Sequence, residues 1–273
     1  MISVIVPVYN DPNGLQDTLQ SLTNQDYTDY EVIVVDNGST DNTREIAKKF
    51  PVKLLVEERR SSYAARNKGV ENAKGDVIAF IDADMTVDRN WLSRIAKKDA
   101  DYLGCKVEII ASKNNIFSRY NSLTGFPVLR YITEKHFIPT CCLVVKRNVF
   151  KKIGFFNSNL ISNGDLEFGI RVYKAGYKME YAPNITMYHP ARESFCSLFE
   201  KYFRIGKGFR QYNPRRKKRF AFLYYFLPVN IFALLETIDG VNWKDKLMVI
   251  CLGGVVKFIT QVGYVYESTR RIF

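Results

Sequence analysis

Two aspartates, Asp82 and Asp84, follow the apolar run Val77–Ile81 and are separated by one alanine. The run is short, continuous and rich in β-branched and aromatic residues, which predicts a buried strand. Alternate residues of an extended chain point to the same side, so both carboxylates can face one site. Converging carboxylates repel each other unless a cation lies between them, and Mg²⁺ and Mn²⁺ prefer oxygen ligands. The pair indicates a divalent-metal site, or alternatively a polar turn before a helix at Trp91.

A third aspartate, Asp36, ends another apolar run at Val32–Val35 and begins the turn Asn37–Thr40. In an open α/β sheet, a carboxylate at a strand's carboxyl end can accept a hydrogen bond from a ribose hydroxyl or a base N–H. The alternative is that Asp36 only shapes the turn. Neither Gly-x-Gly-x-x-Gly nor Gly-x-x-x-x-Gly-Lys-Ser/Thr occurs in the chain, which disfavours dinucleotide-binding and P-loop sites.

The elements that must position these residues alternate between strand and helix over the first hundred residues. Strands are predicted at Ile2–Val6, Val32–Val35, Lys53–Val56 and Val77–Ile81, and helices at Gly14–Asn24, Asp41–Phe50, Ser62–Lys74 and Trp91–Lys98. This alternation predicts parallel βαβ units with right-handed crossovers. Farther along, strands are predicted at Tyr102–Ala111 and Cys141–Val145, with an irregular or helical span between them and a helix at Gly164–Ala175.

The amino-acid composition limits the classes of protein to which the chain can belong. The 273 residues are 47% hydrophobic, enough for a sizeable core, and the net charge of +12 favours anionic partners such as nucleoside diphosphates, anionic lipid headgroups or nucleic acid. Five cysteines without Cys-x-x-Cys spacing suit reduced thiols in the cytosol rather than a zinc site. Strand-like residues begin at Ile2 with no basic region before them, so no secretory signal is expected.

The C-terminal part has a different character. The basic run Pro214–Arg219 precedes the apolar segment Phe220–Leu235, which contains Pro228, and a second apolar segment at Leu247–Tyr266 carries Lys257. Neither segment is an uninterrupted apolar span of about 20 residues. Basic residues beside aromatic-rich helices favour attachment in the plane of a membrane surface. The alternative is a basic loop and helices that pack on the rest of the protein.

Four motifs, taken in order, resemble those of family 2 glycosyltransferases of the GT-A fold. They are Ser3-Val-Ile-Val-Pro-Val-Tyr-Asn10, Val34-Val-Asp-Asn-Gly-Ser-Thr-Asp41, Ala65-Arg-Asn-Lys-Gly69 and Phe80-Ile-Asp-Ala-Asp84. The resemblance continues through Lys146–Phe156 and Gly164–Arg171 and covers about residues 1–210. It implies an α/β, Rossmann-like, mostly parallel sheet flanked by helices. Residues 1–210 would be the GT-A catalytic domain, and residues 211–273 a helical, membrane-associating extension.

The resemblance assigns a nucleotide site to the strand ends. Asp36 resembles the residue that contacts the base, and Pro7 and Tyr9 would line the same pocket. Arg66 resembles the basic residue that helps to hold the nucleotide. Arg204 and Lys207 can close over the diphosphate, or they can be solvated surface residues.

The resemblance also implies a metal, Mn²⁺ or Mg²⁺. Asp82-Ala83-Asp84 looks like the family's Asp-x-Asp motif, with Asp84 on the metal and Asp82 directed towards ribose and metal. A divalent cation can neutralise the charge that develops on a nucleoside diphosphate leaving group. His189 resembles a histidine found after the acidic helix in many relatives, where it would be a third metal ligand or a diphosphate contact. The alternative is a packed, hydrogen-bonded histidine, which is also the interpretation of His136.

Asp165 resembles the aspartate of the family's Glu-Asp motif, the general base of inverting transfer, although Gly164 stands where the motif has Glu. A general base must reach the acceptor hydroxyl with its carboxylate ionised. The alternative is a helix cap, because Asp165 and Glu167 begin a predicted helix and negative charge is favourable there. Arg171, four residues after Glu167, is expected to be its structural ion-pair partner.

The resulting hypothesis is a metal-dependent, inverting glycosyltransferase of hexosyltransferase type. Its predicted partners are a nucleotide-diphosphate sugar, a glycan or lipid-linked acceptor and an anionic membrane surface, without nucleic acid. The expected location is the cytoplasmic side of the cell membrane, peripheral or in-plane, with a soluble cytoplasmic protein as the alternative. A sugar-phosphate nucleotidyltransferase and a non-catalytic nucleotide-sugar-binding module are the competing functions.

Overall fold

The computed structural model describes residues 1–213 and 240–270. The strands are β1 (Ile2–Val8), β2 (Tyr30–Asp36), β3 (Lys53–Val56), β4 (Val77–Phe80), β5 (Thr86–Val87), β6 (Tyr102–Ile110), β7 (Leu143–Lys146) and β8 (Met179–Pro190). The helices are α1 (Pro12–Thr23), α2 (Thr43–Ala47), α3 (Ser62–Asn72), α4 (Trp91–Ala96), α5 (Ile116–Thr124), α6 (Val128–Lys135), α7 (Arg147–Ile153), α8 (Gly164–Lys174), α9 (Phe195–Tyr212) and α10 (Trp243–Arg270). The basic run Pro214–Arg219 and the apolar segment Phe220–Leu235 lie outside the described residues.

The eight described strands form one mixed sheet in the order β3-β2-β1-β4-β7-β6-β8-β5. The first four strands are parallel, as the alternation of strands and helices predicts. In the other half, β7 runs antiparallel to β4 and β6, and β5 runs antiparallel to β8. The fold is therefore the predicted α/β class, with a parallel half that is extended by antiparallel strands.

The parallel half is buried because helices supply apolar side chains to its faces. Val4, Ile5 and Val6 of β1 are fully buried, which explains why this strand is a continuous apolar run rather than an alternating one. The apolar side of α1 contributes Leu15, Leu19 and Leu22, also fully buried. Helix α1 begins after Asp11, whose side chain accepts a hydrogen bond from the Gly14 N–H. The start of the chain thus forms a βα unit with a defined helix start just beyond the strand.

The structure differs from the predicted elements where pairing is non-local or backbone geometry is tight. Strand β5 has two residues, and its pairing with β8, Thr86 to Tyr188, is what makes it a strand. The strand predicted at Cys141–Val145 is wrong at its start, because Thr140–Cys142 forms a turn of 3-10 helix and β7 begins at Leu143. Helix α7 follows β7 directly and is absent from the predicted elements.

The chain divides into two compact units that alternate along the sequence. The first unit contains Met1–Glu108, Val128–Asn159 and Gly164–His189, and the second contains Ile109–Pro127, Leu160–Asn163 and Pro190–Phe273. The predicted assignment of a catalytic role to residues 1–210 and a membrane role to the remainder stays a prediction. Within the second unit, α5, α9 and α10 share a core of Tyr120, Leu198, Val249 and Val256.

Two glycines let α9 and α10 approach each other closely. A Cβ added at Gly206 of α9 would overlap the backbone carbonyl of Thr260 in α10. A Cβ added at Gly263 of α10 would overlap the backbone carbonyl of Phe203 in α9. Backbone cannot yield as the end of a flexible side chain does, so both positions require a residue without Cβ.

We expect Gly263→Ala to lower the free energy of unfolding by about 1–3 kcal/mol, the usual cost of overpacking. Gly254 of the same helix is the matched control, since a Cβ there would have no atom of residues 1–213 or 240–270 within 4 Å. Gly254→Ala should raise the free energy of unfolding by about 0.5–1 kcal/mol, because alanine is the better helix former. Urea denaturation of the two variants measures both effects. Equal stability of Gly263→Ala and the wild type would contradict the helix contact.

Exposed apolar side chains form a continuous stripe along α10, recurring every three or four residues. This α10 stripe consists of Trp243, Leu247, Cys251, Val255, Phe258, Val262 and Tyr266. Within the described residues, α10 is the one helix whose length and composition would allow it to cross a membrane, even though it carries Lys257. About a third of its most apolar 18-residue window is buried inside the protein, so one side packs and the other remains exposed.

Candidate active site

The predicted nucleotide-binding residues lie at the carboxyl ends of the parallel strands. Val8 of β1 pairs with Asp36 of β2, and Ile5 of β1 pairs with Phe80 of β4. The strands therefore end at the same edge of the sheet, where open α/β sheets bind ligands. The predicted site residues at this edge are Pro7, Tyr9, Asp36 and Asp82.

The loops after β1 and β2 are joined by hydrogen bonds. Asn10, which has a positive φ of 49°, donates its backbone N–H to the Ser39 hydroxyl at 2.9 Å. The side-chain oxygen of Asn10 accepts the Thr40 N–H at 2.8 Å. Asp11 donates its N–H to the Thr43 hydroxyl at 3.1 Å. These bonds hold the two loops in a fixed relation at the edge of the sheet.

Asp36 is fully buried, and its charge is compensated inside the protein. Its Oδ2 accepts a hydrogen bond from Arg44 Nε at 2.7 Å and lies 3.2 Å from the Ser39 backbone N–H. A buried carboxylate needs such partners, since burying an uncompensated charge is costly. Arg44 was not among the predicted site residues, because it belongs to the next helix and no motif spacing marks it.

Tyr9 is 44% exposed at the end of β1 and carries a cation over its ring. The guanidinium carbon of Arg60 lies 4.1 Å from the ring centroid, within cation–π range. Arg60 was not predicted either, because the loop before α3 brings it to Tyr9 from far along the chain. An aromatic ring and a positive charge at a strand end suit a nucleotide.

Arg66 and Asp82 form an ion pair inside the first unit. Arg66 is 5% exposed, and its Nη1 also donates to the Ser62 carbonyl at 3.2 Å, but its Nε has no hydrogen-bond partner among the described residues. An unsatisfied buried N–H costs about 1–3 kcal/mol, which an acceptor on a ligand can offset. One carboxylate oxygen of Asp82 is therefore already bound by Arg66, the residue to which the resemblance assigns nucleotide binding.

Asp84 lies near His189, with 3.9 Å between Oδ2 and Nε2. Burial raises the pKa of Asp84; His189 lowers it, and the negative charges of Asp82 and Asp11 raise it further. The surroundings of Asp84 thus disfavour its negative charge. Asp11 was not among the predicted site residues, since the motif Ser3–Asn10 ends just before it.

A divalent cation fits this arrangement chemically. A carboxylate and an imidazole are ordinary ligands for Mn²⁺, and a positive ion would offset the repulsion among the aspartates. Within residues 1–213 and 240–270, no three His, Cys, Asp or Glu side chains are gathered closely enough to hold a metal alone. Mg²⁺-like ions usually take one or two protein carboxylates together with substrate phosphates.

Asp165 begins α8 and contacts Tyr63 of α3. Its Oδ1 accepts the Leu166 N–H at 2.9 Å and lies 3.4 Å from the Tyr63 hydroxyl. The hydroxyl oxygen in turn accepts the Gly164 N–H at 2.9 Å. The ring of Tyr63 also lies 5.9 Å from the guanidinium carbon of Arg66. The predicted general base and the predicted nucleotide-binding arginine therefore share one neighbour.

Steric crowding by a neighbouring side chain explains why residue 164 is a glycine. A Cβ built on Gly164 would lie 2.7 Å from the Cε2 and Cζ atoms of Tyr63, closer than real Cβ contacts come. The tyrosine ring occupies the space that a larger residue at 164 would need. The departure from the family's Glu is thus matched by a tyrosine two residues before Ala65-Arg-Asn-Lys-Gly69.

Other predicted residues have structural contacts. Arg171 binds Glu167 through two hydrogen bonds of 2.8 and 3.0 Å, which is the expected i,i+4 ion pair. His136 stacks on Tyr173 with ring centroids 3.7 Å apart, in agreement with a structural role. Lys207 of α9 lies over aromatic rings of the second unit, and its closure over a diphosphate stays a prediction, as does that of Arg204.

Known proteins resemble the chain over most of its length. The model of the family described as "Glycosyl transferase family 2" matches residues 3–154. Glycosyltransferase AglE of Haloferax volcanii is 38% identical over 220 residues, which is 76% of this chain and 72% of that protein. A Methanococcus voltae protein is 25% identical over 266 residues, covering 86% of this chain and 82% of its own length. Its name is dolichyl N-acetyl-alpha-D-glucosaminyl phosphate 3-beta-D-2,3-diacetamido-2,3-dideoxy-beta-D-glucuronosyltransferase.

A solved structure has the same fold. It is the mannosyltransferase PcManGT from Pyrobaculum calidifontis, in complex with GDP-Man and Mn²⁺, with a TM-score of 0.60 and 18% identity. The match covers 97% of this chain and 73% of that one. Fold and strand-end site together define an α/β enzyme of the GT-A type. The chain belongs to glycosyl transferase family 2 and is a glycosyltransferase.

Proposed function

We propose that the chain is a metal-dependent, inverting glycosyltransferase that moves a sugar from a nucleoside-diphosphate sugar to an acceptor hydroxyl. The observation that carries the metal dependence is the setting of Asp84. This carboxylate is half-buried, faces the negative charges of Asp82 and Asp11, and lies near the imidazole of His189. A cation bridging the protein to a diphosphate would relieve that repulsion. The neighbouring guanidinium of Arg66, which is paired with Asp82, offers further hydrogen-bond donors to the same ligand.

Each residue has a distinct task in this mechanism. Asp84 and His189 would hold Mn²⁺ or Mg²⁺, which when bound offsets the charge of the diphosphate leaving group. Asp36 and Tyr9 would hold the nucleoside at the ends of β1 and β2. Arg66 would bind the nucleotide through its buried guanidinium, whose Nε has no hydrogen-bond partner in the part of the chain that the structure describes.

Asp165 would be the general base. Its carboxylate takes the proton of the acceptor hydroxyl while the acceptor oxygen attacks the anomeric carbon. The new glycosidic bond forms as the bond from the anomeric carbon to the diphosphate oxygen breaks, and the nucleoside diphosphate leaves with that electron pair. Attack on the face opposite the leaving group inverts the anomeric configuration.

A panel of UDP-glucose, UDP-N-acetylglucosamine and GDP-mannose tests this proposal. With Mn²⁺, at least one sugar nucleotide should raise the melting temperature, since a ligand that binds only the folded state stabilises it by mass action. The same donor should be hydrolysed slowly, and EDTA should abolish both effects. Equal binding and hydrolysis with and without the metal would contradict metal dependence. Consumption of a nucleoside triphosphate and a sugar phosphate would instead identify a nucleotidyltransferase.

The acceptor that we propose is lipid-linked, at the cytoplasmic side of a membrane. The Methanococcus voltae relative is named for transfer to a dolichyl-phosphate-linked sugar, which supports this class of acceptor. The α10 stripe supplies an exposed apolar surface on a helix, and the chain has a net charge of +12. Apolar side chains and positive charge together favour an anionic membrane surface.

We expect Phe258→Ser to weaken binding to vesicles of anionic lipid, because Phe258 is 59% exposed in the middle of the α10 stripe. Leu129→Ser is the matched control, since Leu129 of α6 is 55% exposed but lies outside the stripe. Co-sedimentation with phosphatidylglycerol vesicles measures the difference, and neutral vesicles should bind less protein. An equal loss of binding in both variants, or none in either, would contradict the role of the stripe.

A further inference from the structure

Tyr63 places its hydroxyl against the start of α8, although no motif marks this residue as functional. The side chain belongs to the first turn of α3 and is 5% exposed. Its hydroxyl oxygen lies 2.9 Å from the Gly164 backbone nitrogen and 3.4 Å from that of Asp165. The same oxygen lies 3.4 Å from Oδ1 of Asp165. The Tyr63 hydroxyl therefore contacts both the backbone N–H and the carboxylate of Asp165, the residue proposed as the general base.

The direction of these hydrogen bonds follows from the chemistry of a phenol. The hydroxyl accepts from backbone N–H groups, and its single hydrogen must go to an acceptor, for which Asp165 Oδ1 is in reach. Burial raises the pKa of Tyr63 far above its usual value, and the charge of Asp165 adds to the increase. The charge of Arg66 and the hydrogen bonds from the backbone act in the opposite sense. The phenol consequently stays protonated, and so remains a donor, at any pH at which the enzyme works.

Packing holds the ring in this position. Its centroid lies 5.9 Å from that of Phe156, and a Cβ at residue 164 would meet the ring at 2.7 Å. On the side of α8, the glycine thus accommodates the tyrosine ring. A rigid aromatic side chain with one polar atom is well suited to fix the orientation of another group.

We propose that Tyr63 is a positioning residue that orients the carboxylate of Asp165 through a hydrogen bond from its hydroxyl to Oδ1. It stands in the space that the family's glutamate at position 164 would need. Two donors, the Tyr63 hydroxyl and the Leu166 N–H, then fix the carboxylate through one oxygen. This inference rests on the proposed role of Asp165 as the general base.

Removal of the hydroxyl tests the inference. Tyr63→Phe keeps the ring but loses the donor to a charged acceptor, so turnover of donor hydrolysis should fall by about 10-fold. The substrate is the sugar nucleotide of the panel with the fastest Mn²⁺-dependent hydrolysis, and its dissociation constant should not change. Ser61→Ala is the matched control. The Ser61 hydroxyl accepts the Ala64 N–H and donates to the Ser158 carbonyl at 3.0 Å, so its loss affects stability but not turnover.

A double-mutant cycle separates positioning from a general effect on the fold. If Tyr63 acts through Asp165, Tyr63→Phe should have no further effect on turnover in an Asp165→Asn background. Equal losses in the two backgrounds would overturn the inference. Gly164→Ala tests the same contact from the other side, because the added methyl must shift the ring, and turnover should again fall while donor affinity is retained.

Carbon-13 NMR of the aspartate carboxyl groups provides a readout without substrate. The resonance that disappears in Asp165→Asn should titrate at higher pH in Tyr63→Phe, because loss of a donor disfavours the charged form. Charged or ionisable groups that act on this pair include Arg66 and Tyr102, and both are unchanged in the variant. An unaltered midpoint with normal turnover would overturn the inference alone, whereas normal turnover of Asp165→Asn would overturn the proposed function.

Discussion

Replacement of Asp165 by asparagine is expected to lower the turnover of sugar transfer by about 10²–10⁴-fold, the usual contribution of a general base. An amide has nearly the same shape as the carboxylate and can keep the contacts at the start of α8, but it cannot accept the acceptor's proton. Donor binding should therefore remain nearly intact. Initial rates of transfer or Mn²⁺-dependent donor hydrolysis, together with calorimetric titration of the donor, measure the two quantities separately.

Glu167→Gln is the matched control for this variant. Glu167 lies on the same helix two residues later and is bound by Arg171, so the change should cost stability but leave turnover close to that of the wild type. Normal transfer by Asp165→Asn would rule out the general base. If donor affinity were lost as well, Asp165 would organise the donor pocket rather than act on the acceptor.

Replacement of Asp84 by asparagine is expected to abolish the Mn²⁺-dependent part of nucleoside-diphosphate binding while the fold is retained. A neutral amide is a much poorer ligand for a hard cation than a carboxylate. The change also removes a half-buried negative charge that the charges of Asp82 and Asp11 disfavour, so the free protein should not be destabilised. Titration of UDP and GDP in the presence of Mn²⁺ or of EDTA gives the metal-dependent difference.

Asp88→Asn is the control for the Asp84 variant. Asp88 is also a carboxylate and directly follows β5, but it accepts a hydrogen bond from the Tyr188 hydroxyl at 3.1 Å and has no predicted role in the site. Its replacement should leave metal-dependent binding unchanged. Unaltered Mn²⁺-dependent affinity in a folded Asp84→Asn protein would remove this residue from the metal site.

The parallel half of the sheet could be predicted from the sequence because each of its strands is marked by residues that are close to it along the chain. Each of the strands β1 to β4 is a short apolar run followed by a turn or polar residue, and each is separated from the next by a helical segment. The antiparallel half depends on partners far along the chain. Strand β5 exists because Thr86 pairs with Tyr188, and no periodicity in two residues could predict that.

The same distinction applies to the candidate site. Asp36, Asp82 and Asp84 are visible in the sequence because they follow apolar runs and lie in recognisable motifs. Their partners are not, since Arg44 reaches Asp36 from a helix and Arg60 reaches Tyr9 from a loop. Tyr63 has the same property, because its contact with Asp165 spans 102 residues of sequence.

The fit between Gly164 and the Tyr63 ring has a consequence for how such sequences can change. A single substitution that enlarges residue 164 meets the ring, and a single substitution that shrinks residue 63 leaves a cavity and an uncapped backbone N–H. Either change alone should therefore be destabilising, so we expect the two positions to be energetically coupled. A lineage that enlarges residue 164 would pass through a destabilised intermediate unless residue 63 changes with it, which would make the pairing durable over long divergence.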